Sequence, residues 1–255
     1  MLTLYKNLNN IQYMNKSNLI KFIELYNLGG TVERVKLESD GKNISTKIIA
    51  EDKTLAGTIT FNDLKLEKGE YGIHDTAQFK KMLSILDEEV EMNVNSVDKR
   101  AISLTISDKN TESLVILADM SVIPKTPSVT NVGTFDLEIE LDDAFIDRFI
   151  KAKNALPDVT SFTLSLNKKG DKVEMIIGDN DNNTNRIKLE VKTVAGKDKP
   201  AKEISFNANY FKEILTRNRN VTGAVLKVNT AGISNINFKT AEYEANYYLL
   251  KTAKS

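Results

Sequence analysis

The sequence predicts an α+β protein built from two tandem domains, each running helix, three strands, helix, three strands. Three observations predict it. Capped amphipathic segments occur twice in each half of the chain, at closely matched spacings. Runs with period-two alternation of apolar and polar residues follow each of those segments. A stretch holding two of the chain's 4 prolines separates the halves. The domains expected from this reading span 1–120 and 132–255, joined by a connector over 121–131.

The helices come first. Asn15-Lys16-Ser17 opens an amphipathic segment whose Lys21-Phe22-Ile23 falls on Arg148-Phe149-Ile150 of a second segment beginning at Asp142. A second pair matches Asp75 to Leu83 with Asn207 to Leu215, bringing Lys80 onto Lys212. One such match is cheap, but two in the same order at nearly the same offset point to duplication. Over 76–86, Phe79, Met82, Leu83 and Leu86 recur at i, i+3, i+4, i+7, the spacing of a face that packs on a sheet. Asp75 and Asn207 have the side chains of N-caps, and Gln78 completes a capping-box spacing with Asp75.

The strands follow in order. In the first half, 32–37, 44–49 and 55–61 alternate, with Asp40-Gly41 as a hairpin turn, and 90–94, 101–106 and 113–117 follow the second helix. In the second half, 160–166, 172–177 and 186–191 precede the last helix, and 224–228, 233–238 and 243–250 follow it. The prolines at 124 and 127 favour an extended connector over helix or central strand. The polar stretches 179–185 and 196–202 read as exposed loops.

Composition narrows the function classes. The 255 residues are 41% hydrophobic and 27% charged, values that suit a folded protein with real cores. No apolar run is long enough to span a bilayer, and the first residues lack the pattern of a secretion signal. With no cysteine there is no disulfide, thiolate metal site or cysteine nucleophile, which fits a cytoplasmic protein. The lone imidazole, His74, has no catalytic constellation around it in the sequence and reads as a surface turn residue. Asp179 to Asn183 lacks the glycine and glutamate of a calcium loop, and no phosphate-cradling glycine motif occurs. The reading is therefore of a protein that is not an enzyme, with no cofactor and no metal.

The 35 basic and 35 acidic side chains cancel, but a balanced total permits segregation. Lys21, Lys80, Lys81, Arg148, Lys151, Lys212, Arg217 and Arg219 all fall on or just past the four helices, away from their apolar faces. Taken singly, each is a solubilising residue. The matched placement of Lys21 with Arg148 and of Lys80 with Lys212 favours a phosphate-facing strip with no sequence preference. No aromatic side chains interleave with these cations, so duplex backbone suits them better than stacked single strands.

This pattern resembles the sliding-clamp family of DNA polymerase processivity factors, and among them the clamp of T-even bacteriophages. The resemblance lies in the twice-repeated architecture and the proline-containing connector, and in local wording at 71–86 and Ala245-Asn246-Tyr247. It implies the DNA-clamp fold, in which helices lie on one face of a curved antiparallel sheet. It further implies a closed homotrimer around double-stranded DNA that tethers a DNA polymerase and is opened by a clamp loader, in the cytoplasm of a host cell. Leu114, Val115 and Ile116 would then form a subunit interface with Ile187 and Leu189 of a neighbour. Val122, Ile123 and Pro124, with Tyr247 and Leu249, would line a pocket for partner peptides. The last two also fit an ordinary core-facing strand. The rival readings are a two-domain structural or interaction protein, such as a virion component, and an enzyme with an inconspicuous carboxylate site.

Overall fold

The computed structural model describes residues 13–127, 129, 132–167, 169–178, 184–198 and 203–252. In chain order the first half contains β1 (Tyr13–Asn15), α1 (Lys16–Asn27), β2 (Val35–Ser39), β3 (Ile44–Ile49), β4 (Leu55–Phe61), β5 (Gly69–Ile73), α2 (Thr76–Ser84), β6 (Glu89–Val97), β7 (Arg100–Ser107) and β8 (Glu112–Ile116). The second half contains β9 (Leu137–Glu140), α3 (Asp143–Ala155), β10 (Ser161–Leu166), β11 (Val173–Ile177), β12 (Ile187–Glu190), β13 (Thr193–Asp198), β14 (Ile204–Asn207), α4 (Ala208–Arg217), β15 (Val225–Val228), β16 (Ile233–Lys239) and β17 (Tyr243–Leu250).

All four helices and all twelve expected strands are present. The structure adds β1, β5, β9, β13 and β14, so every helix is immediately preceded by a strand, or by the strand and its cap. These strands are short and lack a full alternating run, which is why the period-two signal misses them. β13 corrects the reading of 196–202 as loop, since strand continues through Asp198 and pairs with β9. Residues 199–202 and 179–183 lie outside the described set.

The pairings share one rule. The strand before a helix joins the three strands that follow the other helix of its half. Thus β1 pairs with β6 in the order β1-β6-β7-β8, and β5 pairs with β2. In the second half β14 pairs with β10 in the order β12-β11-β10-β14, and β9 pairs with β15 beside β16 and β17. All of these pairings are antiparallel. The same exchange in both halves makes the duplication structural as well as sequential.

The helix starts are fixed by the caps read in the sequence. Asp75 accepts from the N–H of Gln78, Asp142 from Phe145, Asn207 from Asn209 and Tyr210, and Asn15 from Ser17. Each satisfies amide donors that have no partner inside the helix.

The chain divides into two compact units. One combines the segment ending at Glu24 with Glu33–Thr46 and Thr60–Pro124; the other combines Leu25–Val32, Lys47–Ile59 and everything from Lys125 onward. The boundary at Pro124 falls within the proline-containing connector, and the division also cuts α1, β3 and β4. In the first unit, Phe22 of α1 meets Phe61 edge to face at 6.3 Å, while Phe79 and Leu83 of α2 are buried. In the second, Phe149 of α3 lies edge-on to Phe211 of α4 at 4.7 Å and to Phe162 of β10 at 5.6 Å. Such a cluster orients α3 and α4 on one face of their sheet; each fully buried phenylalanine contributes about 1.5–3 kcal/mol of transfer free energy.

Candidate nucleic-acid interface and assembly edges

On the first unit's helices, Lys81 is exposed, while Lys21 and Lys80 are half-buried. Lys80 is ion-paired with Glu24 of α1. On the second unit's helices, Arg148 and Lys151 are exposed. Lys212 lies 4.0 Å and Arg217 3.2 Å from the carboxylate of Glu213, and Arg219 is paired with Asp147. At least half of the eight cations therefore have a carboxylate within reach. Lys81, Arg148 and Lys151 make no ion pair among the described residues, although the charge of Arg148 is felt by Asp142 and Lys192.

Lys153, which sequence reasoning did not single out, is 3% exposed on α3. Its ammonium donates to the carbonyls of Leu156 (3.3 Å) and Pro157 (2.9 Å), closing the helix end. Burial, with the charge of Lys212 nearby, pushes its pKa below the usual lysine value. The spacing carried the signal: Lys153 stands four residues after Phe149, on the apolar stripe.

The residues assigned to a subunit interface fall on two sheet edges. β8 ends the order β1-β6-β7-β8, and β12 ends the order β12-β11-β10-β14. Leu104 opposes Val115 on the face toward α2, so Glu112, Leu114 and Ile116 point the other way. Leu114 and Ile116 are 51% and 70% exposed there, whereas Val115 is buried. On β12, Leu189 opposes Met175 and is buried, and Ile187 is half-buried.

A groove of about 490 Å³ runs beside β8, lined by His74, Phe79, Met82, Leu114, Ile116 and Val122 among others. Val122, 50% exposed, thus joins the β8 residues in one apolar depression; Ile123 is buried and Pro124 exposed. Asp119 also lines the groove. It accepts from the Ser121 N–H at 2.8 Å and is paired with Arg100, and these partners hold its carboxyl well below the usual carboxylate range. Tyr247 and Leu249 need correcting as pocket walls. Both are wholly buried in the second unit, where the Tyr247 ring packs 6.2 Å from Phe238 and its hydroxyl donates to the Leu25 carbonyl at 2.8 Å. Among the described residues no cluster of three or more His, Asp or Glu side chains could hold a metal ion, and no helix is long and apolar enough to cross a membrane.

No family model matches the sequence, and no curated protein matches it either. Solved structures do match. The proliferating cellular nuclear antigen (PCNA) of Entamoeba histolytica superposes with a TM-score of 0.70 at 14% identity, over 95% of this chain and 98% of that one. The PCNA of A. fulgidus, solved with the C-terminal region of FEN-1 bound, gives 0.69 at 15% identity over the same shares. The fold is the PCNA-type clamp fold. At such low identity the likeness extends to the duplicated architecture and to no individual side chain.

Proposed function

We propose that this protein is a DNA sliding clamp: a ring of three copies that encircles duplex DNA and tethers a polymerase without catalysing a reaction itself. The observation that carries the reading is the clamp fold over nearly the whole chain. Two complementary sheet edges, β8 and β12, support it, since ring closure pairs edges that would otherwise stay exposed. Exposed Lys81, Arg148 and Lys151 supply weak contacts to phosphate, and the paired cations add less. Weak contacts suit a ring that is held by topology and has to slide. The groove around Val122 and the connector offer apolar surface to partner tails and to the neighbouring copy. The phage-type replication setting, with its own clamp loader, rests on the local wording at 71–86 and 245–247.

Light scattering at micromolar concentration tests the assembly. The expected mass is three times the 28.5 kDa chain, with a central hole in negatively stained images. A particle that stays at the mass of a single chain rejects the ring and favours the two-domain interaction protein. Lys81→Glu with Arg148→Glu and Lys151→Glu should preserve the trimer but lower retention on circular DNA. For every phosphate no longer neutralised, the logarithmic salt dependence should flatten by about 0.9. Unchanged retention and salt slope would remove these side chains from the DNA face.

A further inference from the structure

The helix cations are met by acids in a pattern that occurs once in each half. In the first unit, Glu24 of α1 is paired with Lys80 of α2. In the second, Asp147 of α3 is paired with Arg219, just past the end of α4. Each time the carboxylate stands on the earlier helix and the cation on or beside the later one. Duplication does not account for this. In the alignment that brings Lys21 onto Arg148, Glu24 falls on Lys151 and Asp147 on Ile20. In the alignment that brings Lys80 onto Lys212, Arg219 falls on Asp87. The same cross-helix arrangement is therefore built twice, from residues that are not counterparts.

Stability gives these pairs little reason to exist. The side chains of Lys80 and Glu24 are 39% and 29% exposed, and those of Arg219 and Asp147 are 53% and 43% exposed. Ion pairs this open to water contribute little to folding. In the second unit α3 and α4 are already joined by Phe149 and Phe211, whose rings meet at 4.7 Å. What the exposure does permit is competition. A phosphate approaching either cation has to displace the carboxylate or share the charge with it. A cation that keeps its carboxylate neutralises no phosphate and adds nothing to the counterion release that drives binding. Glu213 is a different case, although it lies 3.2 Å from Arg217 and 4.0 Å from Lys212. A Cβ on Gly29 would lie 2.6 Å from its carboxylate oxygen, so Glu213 is also packed against the turn after α1.

We propose that Glu24 and Asp147 set the strength of the grip on duplex DNA, each withholding one cation from phosphate. This rests on the clamp reading above.

The test measures binding to linear duplex, onto which a ring threads from the ends, by fluorescence anisotropy over a range of salt. Glu24→Gln and Asp147→Asn should each steepen the logarithmic salt dependence by up to about 0.9 and tighten binding at 0.1 M salt by up to about eightfold. Glu24→Gln should have no effect in a Lys80→Gln background, nor Asp147→Asn in an Arg219→Gln background. Glu242→Gln, in the exposed bend before β17, raises the net charge equally and should change neither quantity. Unaltered slope and affinity in variants that still form trimers overturn the proposal and leave the ring standing. An equal gain from Glu242→Gln, or a lowered melting midpoint with no gain in binding, overturns it as well. A wild-type protein that is monomeric in light scattering overturns both this proposal and the clamp reading.

Discussion

Replacing Tyr247 with Phe removes one oxygen from the interior of the second unit, and its cost can be worked out from the groups it touches. The hydroxyl donates to the carbonyl of Leu25 at 2.8 Å. Leu25 is in the last turn of α1, where carbonyls have no partner within the helix, so the phenol stands in for the missing amide. Asn218 also points its amide at the phenol, but at 3.4 Å, and it keeps a 2.8 Å bond to the Ile214 carbonyl. The substitution therefore leaves one buried acceptor unsatisfied, with packing against Phe238 unchanged, which costs about 1–3 kcal/mol. For a chain of this length that lowers the melting midpoint by roughly 2–10 °C. Urea titration should show a lower midpoint with an unchanged slope. The pH dependence supplies an internal check. Burial raises the pKa of Tyr247 far above its ordinary value, so above about pH 10 the unfolded phenol gives up its proton while the folded one keeps it. The unfolded state then binds fewer protons and wild-type stability falls as pH rises. The variant lacks that penalty, so its deficit should shrink on the alkaline side. A destabilisation below about 0.5 kcal/mol at neutral pH would refute the account of the Leu25 carbonyl.

Burial pushes the phenols of Tyr71, Tyr210 and Tyr243 up to about 12, so the wild-type protein should lose stability between pH 10 and 12, read as a falling urea midpoint by circular dichroism; a midpoint that stays constant across that range would contradict it. At Gly72 an added Cβ would lie 2.6 Å from the Ala118 carbonyl oxygen, a backbone atom, so Gly72→Ala should cost about 1–3 kcal/mol and speed hydrogen exchange at the Ala118 amide, which donates to Gly72; unaltered exchange there would show that the close approach is dispensable.

The fold was legible where the signal is periodic. α2 shows why: Asp75 caps it, Phe79 and Leu83 are buried, and the helix occupies the turns that this spacing requires. The five added strands carry no comparable signal. β1 has three residues, and β5 contains Gly69 and Gly72, which the pattern reads as punctuation. Gly72 is present because the chain after β8 passes too close for any side chain, an approach made 46 residues further along. Tertiary pairing alone specifies these strands, and no local window contains it.

The candidate sites divide along the same line. Alternation identified Tyr247 and Leu249 as readily as Leu114 and Ile116, because period two shows that a strand has two faces without showing which one is covered. Coverage depends on what packs over the strand. On β17 the covered face is the one that carries Tyr243, Ala245, Tyr247 and Leu249, whereas on β8 Leu114 and Ile116 stand on the uncovered face and Val115 on the covered one. The cations followed a similar course. The pairing of Arg217 with Glu213 is four residues apart and could be read directly. Those of Lys80 with Glu24 and Arg219 with Asp147 join different helices and could not. A helix surface whose cations are half satisfied internally presents phosphate with a shallow potential, and exposed pairs of this kind contribute little to stability at physiological salt. On the sliding-clamp reading proposed above, that weakness suits a ring that has to move along its duplex.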